Sequence, residues 1–235
     1  GRLAIQEYQV QAAVLDDGFQ HRRLGRDLDI LLIDATRPFG FGYLLPRGLL
    51  REPMYNVRRA EAVVVTRSDQ ASSETLAEIV SAVRWYNTAA PIVRAIHKPT
   101  GFCDLEGKPK AGPAGGRVGA LAGIARPETF ERTLKDVGIE VADRRWLGDH
   151  HLYGPADVEA IGRWAERARL DTIITTEKDA VKLARVAADW PVAMAALRIE
   201  IELLDDGRQV LGRLIDERLK DFDDDEPRKH LTREA

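Results

Sequence analysis

The sequence predicts an α/β protein built around a mostly parallel β-sheet. Three observations carry this prediction: short apolar runs recur along the chain, stretches of helical length separate them, and several runs end at an acidic residue. Runs that are apolar on both faces are typical of parallel strands covered by helices. The carboxyl ends of such strands form a crevice in which ligands bind, so the acidic residues there are candidates for chemistry.

The first half of the chain holds four candidate strands. They are the apolar runs at residues 12–15, 29–33, 62–66 and 92–96. A helix is predicted over residues 72–86, because Ser-Ser-Glu opens the stretch and its apolar residues have helical spacing. Strand, helix and strand in this order form a βαβ crossover. We expect the first run to be a buried strand that ends at Asp16 and Asp17.

The second half repeats the pattern after an interruption. Residues 97–116 hold three Pro and five Gly, with a turn at Glu106 and Gly107, and predict a hairpin-like linker. Beyond it we predict strands at 117–121, 139–142, 172–175, 191–196 and 198–204, and helices at 126–138, 156–168 and 177–187. The chain after Asp216 is highly charged and is expected to be a solvated, partly disordered tail.

These elements predict four regions. They are a core segment at 1–97, a linker at 98–115, a smaller α/β domain at 116–196, and a return strand with a charged tail at 197–235. The net charge of −3 gives no global reason to expect nucleic acid or an anionic membrane as a partner. No apolar run is long enough to cross a membrane.

Two further features bear on origin and chemistry. The single cysteine, Cys103, is expected to be a buried apolar residue rather than a nucleophile, because no His stands in a recognisable partner motif with it. The chain begins at Gly1 rather than Met and runs straight into a predicted strand. We therefore expect it to come from the middle of a gene product.

The most specific local pattern is at residues 14–21, VLDDGFQH, where the first predicted strand ends. Two carboxylates at the end of a parallel strand, here Asp16 and Asp17, can hold Mg²⁺ directly or through its waters. The alternative interpretation is a strand that simply ends in an Asp-Gly turn.

A second pattern joins residues 34–40, DATRPFG, to the loop at residues 44–53, LLPRGLLREP. This loop brings Arg51 and Glu52 side by side. An Arg can stabilise charge on a transferred phosphoryl group, and a Glu can complete a metal site. The alternative is a surface ion pair in a loop rich in Pro and Gly.

A third pattern, GDHHLY at residues 148–153, places His150 and His151 after an acidic residue. These are candidate metal ligands, or a His oriented by a carboxylate for acid–base work. No further ligand follows at zinc spacing, which argues against a structural zinc site. The alternative is that both are polar surface residues.

A fourth pattern, TTEKDAVKL at residues 175–183, marks a strand-to-helix junction. Thr176 is a candidate cap of that helix, with Asp179 three residues later. Residues 122–127, AGIARP, similarly end a strand in a Gly turn.

Taken together, these stretches resemble one family, the tetraacyldisaccharide 4'-kinases of lipid A biosynthesis. The resemblance is carried by the stretches at residues 15–21, 34–40, 50–53, 122–127, 149–151 and 176–183. Their order and spacing fit the family from about residue 12 to residue 204. The resemblance implies the C-terminal part of a P-loop kinase core, a β-linker and a smaller α/β cap domain.

The same resemblance implies a reaction and its partners. A phosphoryl group would pass from MgATP to the 4'-hydroxyl of a tetraacylated glucosamine disaccharide 1-phosphate, at the cytoplasmic face of the inner membrane. ATP, Mg²⁺, the glycolipid and, for the full-length protein, a membrane surface are the expected partners, and nucleic acid is not. The implied site residues are Asp16, Asp17 and Glu52 for the metal, Gln20, His21 and Arg51 for the nucleotide, and His150, His151 and Arg51 for catalysis. Of the two His residues, His150 is preferred as the one that reaches from the cap toward the catalytic base.

The sequence departs from the family in one respect, since no Gly-x-x-x-x-Gly-Lys-[Ser/Thr] occurs in it. In the family this loop, the base aspartate and a membrane-contacting helix all precede the part that matches this chain. We therefore expect residues 1–235 to be inactive on their own. Two alternatives stay open: a degenerate module that binds a nucleotide, a glycolipid or a protein, and a P-loop GTPase with residues 66–69 (TRSD) as its guanine-specificity element.

Overall fold

The computed structural model describes residues 2–10, 12–186 and 189–223. The chain divides into two compact units: unit 1 takes the residues up to His97 and from Ile201 onwards, and unit 2 takes Lys98–Glu200. The predicted α/β class with a mostly parallel sheet is confirmed. Among the described residues, no helix combines the length and the apolar character needed to cross a membrane.

The elements alternate along the chain. The strands are β1 (Ile30–Asp34), β2 (Ala62–Thr66), β3 (Ile92–Cys103), β4 (Pro109–Lys110), β5 (Val118–Ala122), β6 (Val141–Trp146), β7 (Thr172–Thr176) and β8 (Ala193–Leu203). The helices are α1 (Arg2–Tyr8), α2 (Ser73–Tyr86), α3 (Pro127–Asp136), α4 (Pro155–Ala168), α5 (Glu177–Leu183) and α6 (Gly207–Asp223).

Unit 1 contains a parallel sheet in the order β1-β2-β3. All five residues of β2 are buried, because helices cover both of its faces. On one face Val63 and Val65 cluster with Ile79 of α2, and on the other Val64 clusters with Val210 of α6. Fully burying a side chain of this size contributes roughly 1.5–3 kcal/mol, so these contacts fix the position of β2 and of the loop that follows it.

The predicted first strand, residues 12–15, is wrong. These residues form no strand, and the Val14 side chain is 98% exposed. An apolar run becomes a strand only where its backbone groups find a neighbouring strand to bond with, and residues 12–15 have none among the described residues. Asp16 and Asp17 therefore follow an exposed loop rather than a buried strand.

The predicted tail after Asp216 is also partly wrong, because α6 continues to Asp223. Val210 and Leu211 pack against the core cluster that contains Val64 and Val93, and this apolar contact keeps a highly charged segment helical. The rest of the predicted tail, residues 224–235, lies outside the described residues.

Unit 2 contains four parallel strands in the order β8-β7-β5-β6. Helix α4 covers one face through Ile161 and Trp164, and helix α3 covers the other through Phe130 and Leu134. Strand β5 lies between β6 and β7, so the strand order reverses at this point. In open α/β sheets such a reversal marks where ligands bind, beyond the carboxyl ends of the strands.

The segment between the two predicted α/β regions is a hairpin. The end of β3 pairs antiparallel with β4, and the turn between them closes with a hydrogen bond from Gly107 N to Asp104 O of 3.1 Å. The two separate strands predicted at 191–196 and 198–204 are one strand, β8, because Leu197, at the predicted break, pairs with Thr176 of β7. Helix α5 ends at Leu183, four residues earlier than predicted.

Replacing Asn87 by Ala is expected to destabilise unit 1 by about 2–3 kcal/mol. The Asn87 side chain is buried, donates to Val57 O (3.0 Å) and Ala60 O (2.8 Å), and accepts from Ala90 N (2.9 Å). Ala removes the side-chain partner of these three buried backbone groups, of which Val57 O keeps its bond from Ala60 N. Hydrogen exchange of the β2 amides measures the change, with the exposed Thr88→Ala as the matched control, expected to shift by less than about 0.5 kcal/mol. Equal exchange rates of the β2 amides in Asn87→Ala and Thr88→Ala would contradict the stabilising role of the Asn87 side chain.

Candidate functional site

In unit 1, the candidate site begins with the loop of residues 40–50, which is held by hydrogen bonds within its own backbone. Leu49 N donates to Gly40 O (2.9 Å) and Leu50 N to Tyr43 O (3.1 Å), which holds residues 40–50 as one piece. Gly48 is required there, because a Cβ at this position would lie 2.1 Å from Tyr43 O. The loop therefore delivers the next residue, Arg51, from a defined position.

Arg51 brings together three of the predicted site residues. Its Nη1 donates to Asp17 Oδ2 (2.6 Å) and to Gln20 Oε1 (3.3 Å). The side chains of Arg51 and Asp17 are 58% and 69% exposed, and an ion pair that exposed contributes only ~0–1 kcal/mol to stability. The ion pair therefore contributes little to stability. The Nε and Nη2 atoms of Arg51 take part in neither of these two hydrogen bonds.

Glu52 does not pair with its neighbour Arg51. Its Oε2 accepts from Asn56 Nδ2 (2.7 Å) and from Arg59 Nη1 (2.8 Å), and the pair with Arg59 is only about one-fifth exposed. Arg59 also donates to Phe19 O (3.0 Å) and lies 4.4 Å from the centre of the Phe19 ring. Arg59 thus ties the loop of residues 16–21 to the segment that carries Glu52.

A second polar group lies where β1 and β2 end. Asp34 accepts from Arg67 Nη1 (2.5 Å), and its other oxygen accepts from the backbone and hydroxyl of Thr36 (2.9 and 2.6 Å). Burial lowers the pKa of the half-buried His97, and the nearby Arg67 lowers it further. This group orders the start of residues 34–40 at the carboxyl end of the sheet.

The carboxylates predicted to hold Mg²⁺ differ in their surroundings. Asp16 and Asp17 are adjacent and exposed, and Glu52 is half-buried with both hydrogen bonds at Oε2, so that Oε1 carries neither. Mg²⁺ at a nucleotide site takes one or two carboxylates together with phosphate and water oxygens. The oxygens present fit that ligand set by type. In the part of the chain that is described, no three acidic, His or Cys side chains gather into a metal cluster.

Two predicted residues of this unit make no such contact with Arg51. Asp16 and His21 are exposed. The carbonyl oxygen of His21 accepts a hydrogen bond from Arg26, and its backbone N–H donates to Gly18 O (2.9 Å). His21 is therefore held through its backbone atoms, and the side chains of Asp16 and His21 are exposed.

In unit 2, the two adjacent His residues have different environments. His150 is 74% exposed, has a left-handed backbone (φ 59°), and donates its backbone N–H to Asp149 Oδ1 (3.0 Å). His151 is half-buried, and its Nε2 lies 3.1 Å from Asp157 Oδ1. Its ring also meets the Tyr153 ring edge-on at 4.9 Å. His151 is thus held within the fold, and His150 is presented to solvent.

Behind this loop lies a buried carboxylate, Asp179, which is fully buried. Its Oδ2 accepts from Gly123 N (2.9 Å) and from the Thr176 hydroxyl (2.8 Å), and the Thr176 oxygen accepts in turn from Asp179 N (3.1 Å). The predicted cap of α5 by Thr176 is confirmed. Burial and the nearby Asp179 raise the pKa of Tyr153 far above its ordinary value, so that the phenol stays protonated.

Cys103 is buried, as the sequence predicts, and its thiol lies 3.8 Å from Ala196 O. Burial raises the pKa of the Cys103 thiol. A thiol that resists ionisation is a poor nucleophile.

The chain is similar to proteins of one family over most of its length. Residues 1–220 match the family model described as tetraacyldisaccharide-1-P 4'-kinase. The chain is 42% identical over 219 residues to the tetraacyldisaccharide 4'-kinase of Anaeromyxobacter sp. (strain K), covering 92% of this chain and 57% of that protein. It is 39% identical over 230 residues to the enzyme of the same name from Syntrophus aciditrophicus (strain SB), covering 94% and 61%.

A solved structure is also similar, that of the "apo" form of LpxK from Aquifex aeolicus in complex with ATP. It matches with a TM-score of 0.65 and 26% identity, over 93% of this chain and 61% of that chain. The chain thus spans 57% to 61% of the length of these relatives.

Proposed function

This chain belongs to the tetraacyldisaccharide 4'-kinase family, and on that premise we propose that its protein phosphorylates the 4'-hydroxyl of a tetraacylated glucosamine disaccharide 1-phosphate, with ATP as donor, in lipid A biosynthesis. The observation that carries the proposal is the contact of Arg51 with Asp17 and Gln20. This contact joins the stretch at residues 14–21 to the loop at residues 44–53, at an exposed position of unit 1.

Arg51 is proposed to stabilise the charge on the transferred phosphoryl group. Catalysis of phosphoryl transfer is largely positioning and electrostatic stabilisation, and a guanidinium matches the geometry of phosphate oxygens better than an ammonium does. The exposed pair with Asp17 is weak enough to be exchanged for a phosphate. Gln20 and His21, on the same turn, are proposed to line the nucleotide.

Asp16, Asp17 and Glu52 are proposed to hold Mg²⁺. A bound Mg²⁺ neutralises charge on the phosphate oxygens. The role of this chain is to supply carboxylate oxygens as ligands. Asp16 and Asp17 offer exposed carboxylates, and the hydrogen bonds from Asn56 and Arg59 fix the orientation of Glu52.

His150 is proposed to take part in the same reaction as a proton-transfer or orienting group, because an exposed imidazole beside a carboxylate is suited to acid–base work. His151 is the weaker candidate, since its ring is engaged with Asp157 and Tyr153. The acceptor is a glycolipid, so we place the reaction at the cytoplasmic face of the inner membrane.

Replacing Arg51 by Lys is expected to lower kcat about tenfold, because Lys keeps the charge and loses the planar donor fork. The assay uses the full product of the gene that encodes these residues, with MgATP and tetraacyldisaccharide 1-phosphate. ADP release is measured with and without the acceptor.

The matched control is Arg58→Lys, on the same segment, where Arg58 stacks 5.3 Å from the Tyr55 ring. This variant is expected to keep the parent rate. ADP release that does not depend on the acceptor, or equal rates for the two variants, would count against the proposal. Binding of the glycolipid without turnover would favour a non-catalytic module.

A further inference from the structure

Three sequence patterns of unit 2 meet at one place. Residues 122–127 begin at the last residue of β5, residues 148–153 follow β6, and residues 175–183 run from the end of β7 through α5. A Cβ built on Gly123 would lie 3.1 Å from Asp179 Oδ1, 3.2 Å from the His151 Cβ and 3.3 Å from the Tyr153 hydroxyl. The three segments are therefore in close contact at the carboxyl ends of these strands.

Helix α5 reaches the loop of residues 148–153 through two lysines, four residues apart on one face. Lys182 Nζ donates to His151 O (3.2 Å) and lies 3.8 Å from Asp179 Oδ1. Lys178 Nζ lies 3.6 Å from Asp149 Oδ1. The two contacts fall on the residues immediately before and after His150.

The Lys182 contact is the stronger of the two. Its side chain is 25% exposed and Asp179 is fully buried, whereas Lys178 and Asp149 are 47% and 40% exposed. Asp179 is itself held by Gly123 N and Thr176. A charged donor fixed by a buried carboxylate bonds a backbone carbonyl more firmly than an exposed ion pair holds a side chain.

His150 needs such support because its backbone is left-handed. That conformation is costly for a residue with a Cβ unless the surroundings hold it. Asp149 bonds the His150 N–H on one side, and Lys182 holds the next carbonyl on the other. The support comes from a helix that is itself anchored in the core of unit 2.

We propose that Lys182, oriented by Asp179, is a positioning residue that holds the loop of residues 148–153 in the conformation that presents His150, with Lys178 as a weaker second tie. The effect on catalysis rests on the proposed function. The effect on the loop does not, so the two are measured separately.

The structural experiment is hydrogen exchange of the peptide that spans residues 147–153, measured on the chain itself. Lys182→Met is expected to speed exchange there about tenfold, Lys182→Arg to restore most of the protection, and Lys178→Met to give a smaller increase. The control is Lys108→Met, an exposed lysine of unit 2 that pairs with Glu106, and it is expected to leave this peptide unchanged. Parent-like exchange in Lys182→Met, or equal increases in every peptide of unit 2, would overturn the proposal.

The kinetic experiment uses the full gene product with MgATP and the disaccharide acceptor. Lys182→Met is expected to lower kcat about tenfold and to change KM less than threefold, and Lys182→Arg to recover most of kcat. A rise in KM with unchanged kcat would contradict the positioning role. If the parent protein shows no kinase activity, the proposed function fails, and the exchange experiment still decides whether Lys182 holds the loop.

Discussion

Replacing Asp16 or Asp17 by Asn is expected to lower kcat roughly a hundredfold, which corresponds to about 2.7 kcal/mol of lost transition-state stabilisation. Asn keeps the size of the side chain and removes the negative charge that attracts Mg²⁺. Asp17→Asn also weakens the contact that places Arg51, so its effect is expected to be the larger. Initial rates over a range of Mg²⁺ concentrations measure both effects.

The matched control is Asp27→Asn, because Asp27 is an exposed carboxylate eleven residues after Asp16. It is expected to keep the parent rate and the parent Mg²⁺ dependence. If Asp16→Asn and Asp17→Asn also keep the parent Mg²⁺ dependence, neither carboxylate holds the metal, and the assignment of the 14–21 stretch is wrong.

Replacing His150 by Ala is expected to lower kcat about a hundredfold with little change in stability. Acid–base groups contribute 10²–10⁴-fold to rates, and the exposed His150 ring packs against little that its loss would disturb. Steady-state kinetics of the full gene product, with thermal unfolding of the same samples, separates the two effects.

His151→Ala is the informative comparison, because it removes the bond to Asp157 and the contact with Tyr153. It is expected to unfold about 1–2 kcal/mol more easily. If His150→Ala keeps the full rate and unfolds more easily, His150 is structural. If His151→Ala instead loses activity without loss of stability, the roles of the two residues are reversed.

The sequence predicts much of the sheet because the signals there are local. The run at 62–66 coincides with β2, and the helix predicted at 72–86 begins one residue late, with Ser72 as its cap. Thr176 likewise caps α5 as predicted. The spacing of apolar residues and the capping side chains depend on residues that are close together in the sequence. Both signals can therefore be recognised from the sequence alone.

The failures concern partners that lie far along the chain. Residues 12–15 have the composition of a strand, but pairing decides whether a strand forms. Arg51 and Glu52 are neighbours in sequence, yet Arg51 pairs with Asp17 and Glu52 with Arg59. Nothing in the sequence of the neighbours Arg51 and Glu52 distinguishes these two separate pairings from an ion pair between the neighbours themselves.

Some missed residues left a signal in the sequence. Glu52 and Asn56 are four residues apart and Arg59 lies three residues further on, so both partners of Glu52 are close to it in the sequence. Lys178 and Lys182 have the same four-residue spacing on α5. Their common target, the loop that carries His150, depends on how β5, β6 and β7 are ordered, and the sequence does not contain that order in any local form.

The position of the new phosphate on the product is the most direct measure of the proposed function. The full gene product is incubated with MgATP and tetraacyldisaccharide 1-phosphate, and the lipid is examined by ³¹P and ¹H nuclear magnetic resonance. The predicted result is a second phosphate ester whose phosphorus couples to the proton at carbon 4'. The Asp17→Asn sample is expected to contain no more than roughly one per cent of the parent yield of this product. A product phosphorylated at another hydroxyl, or an unchanged lipid in the presence of folded protein, would contradict it.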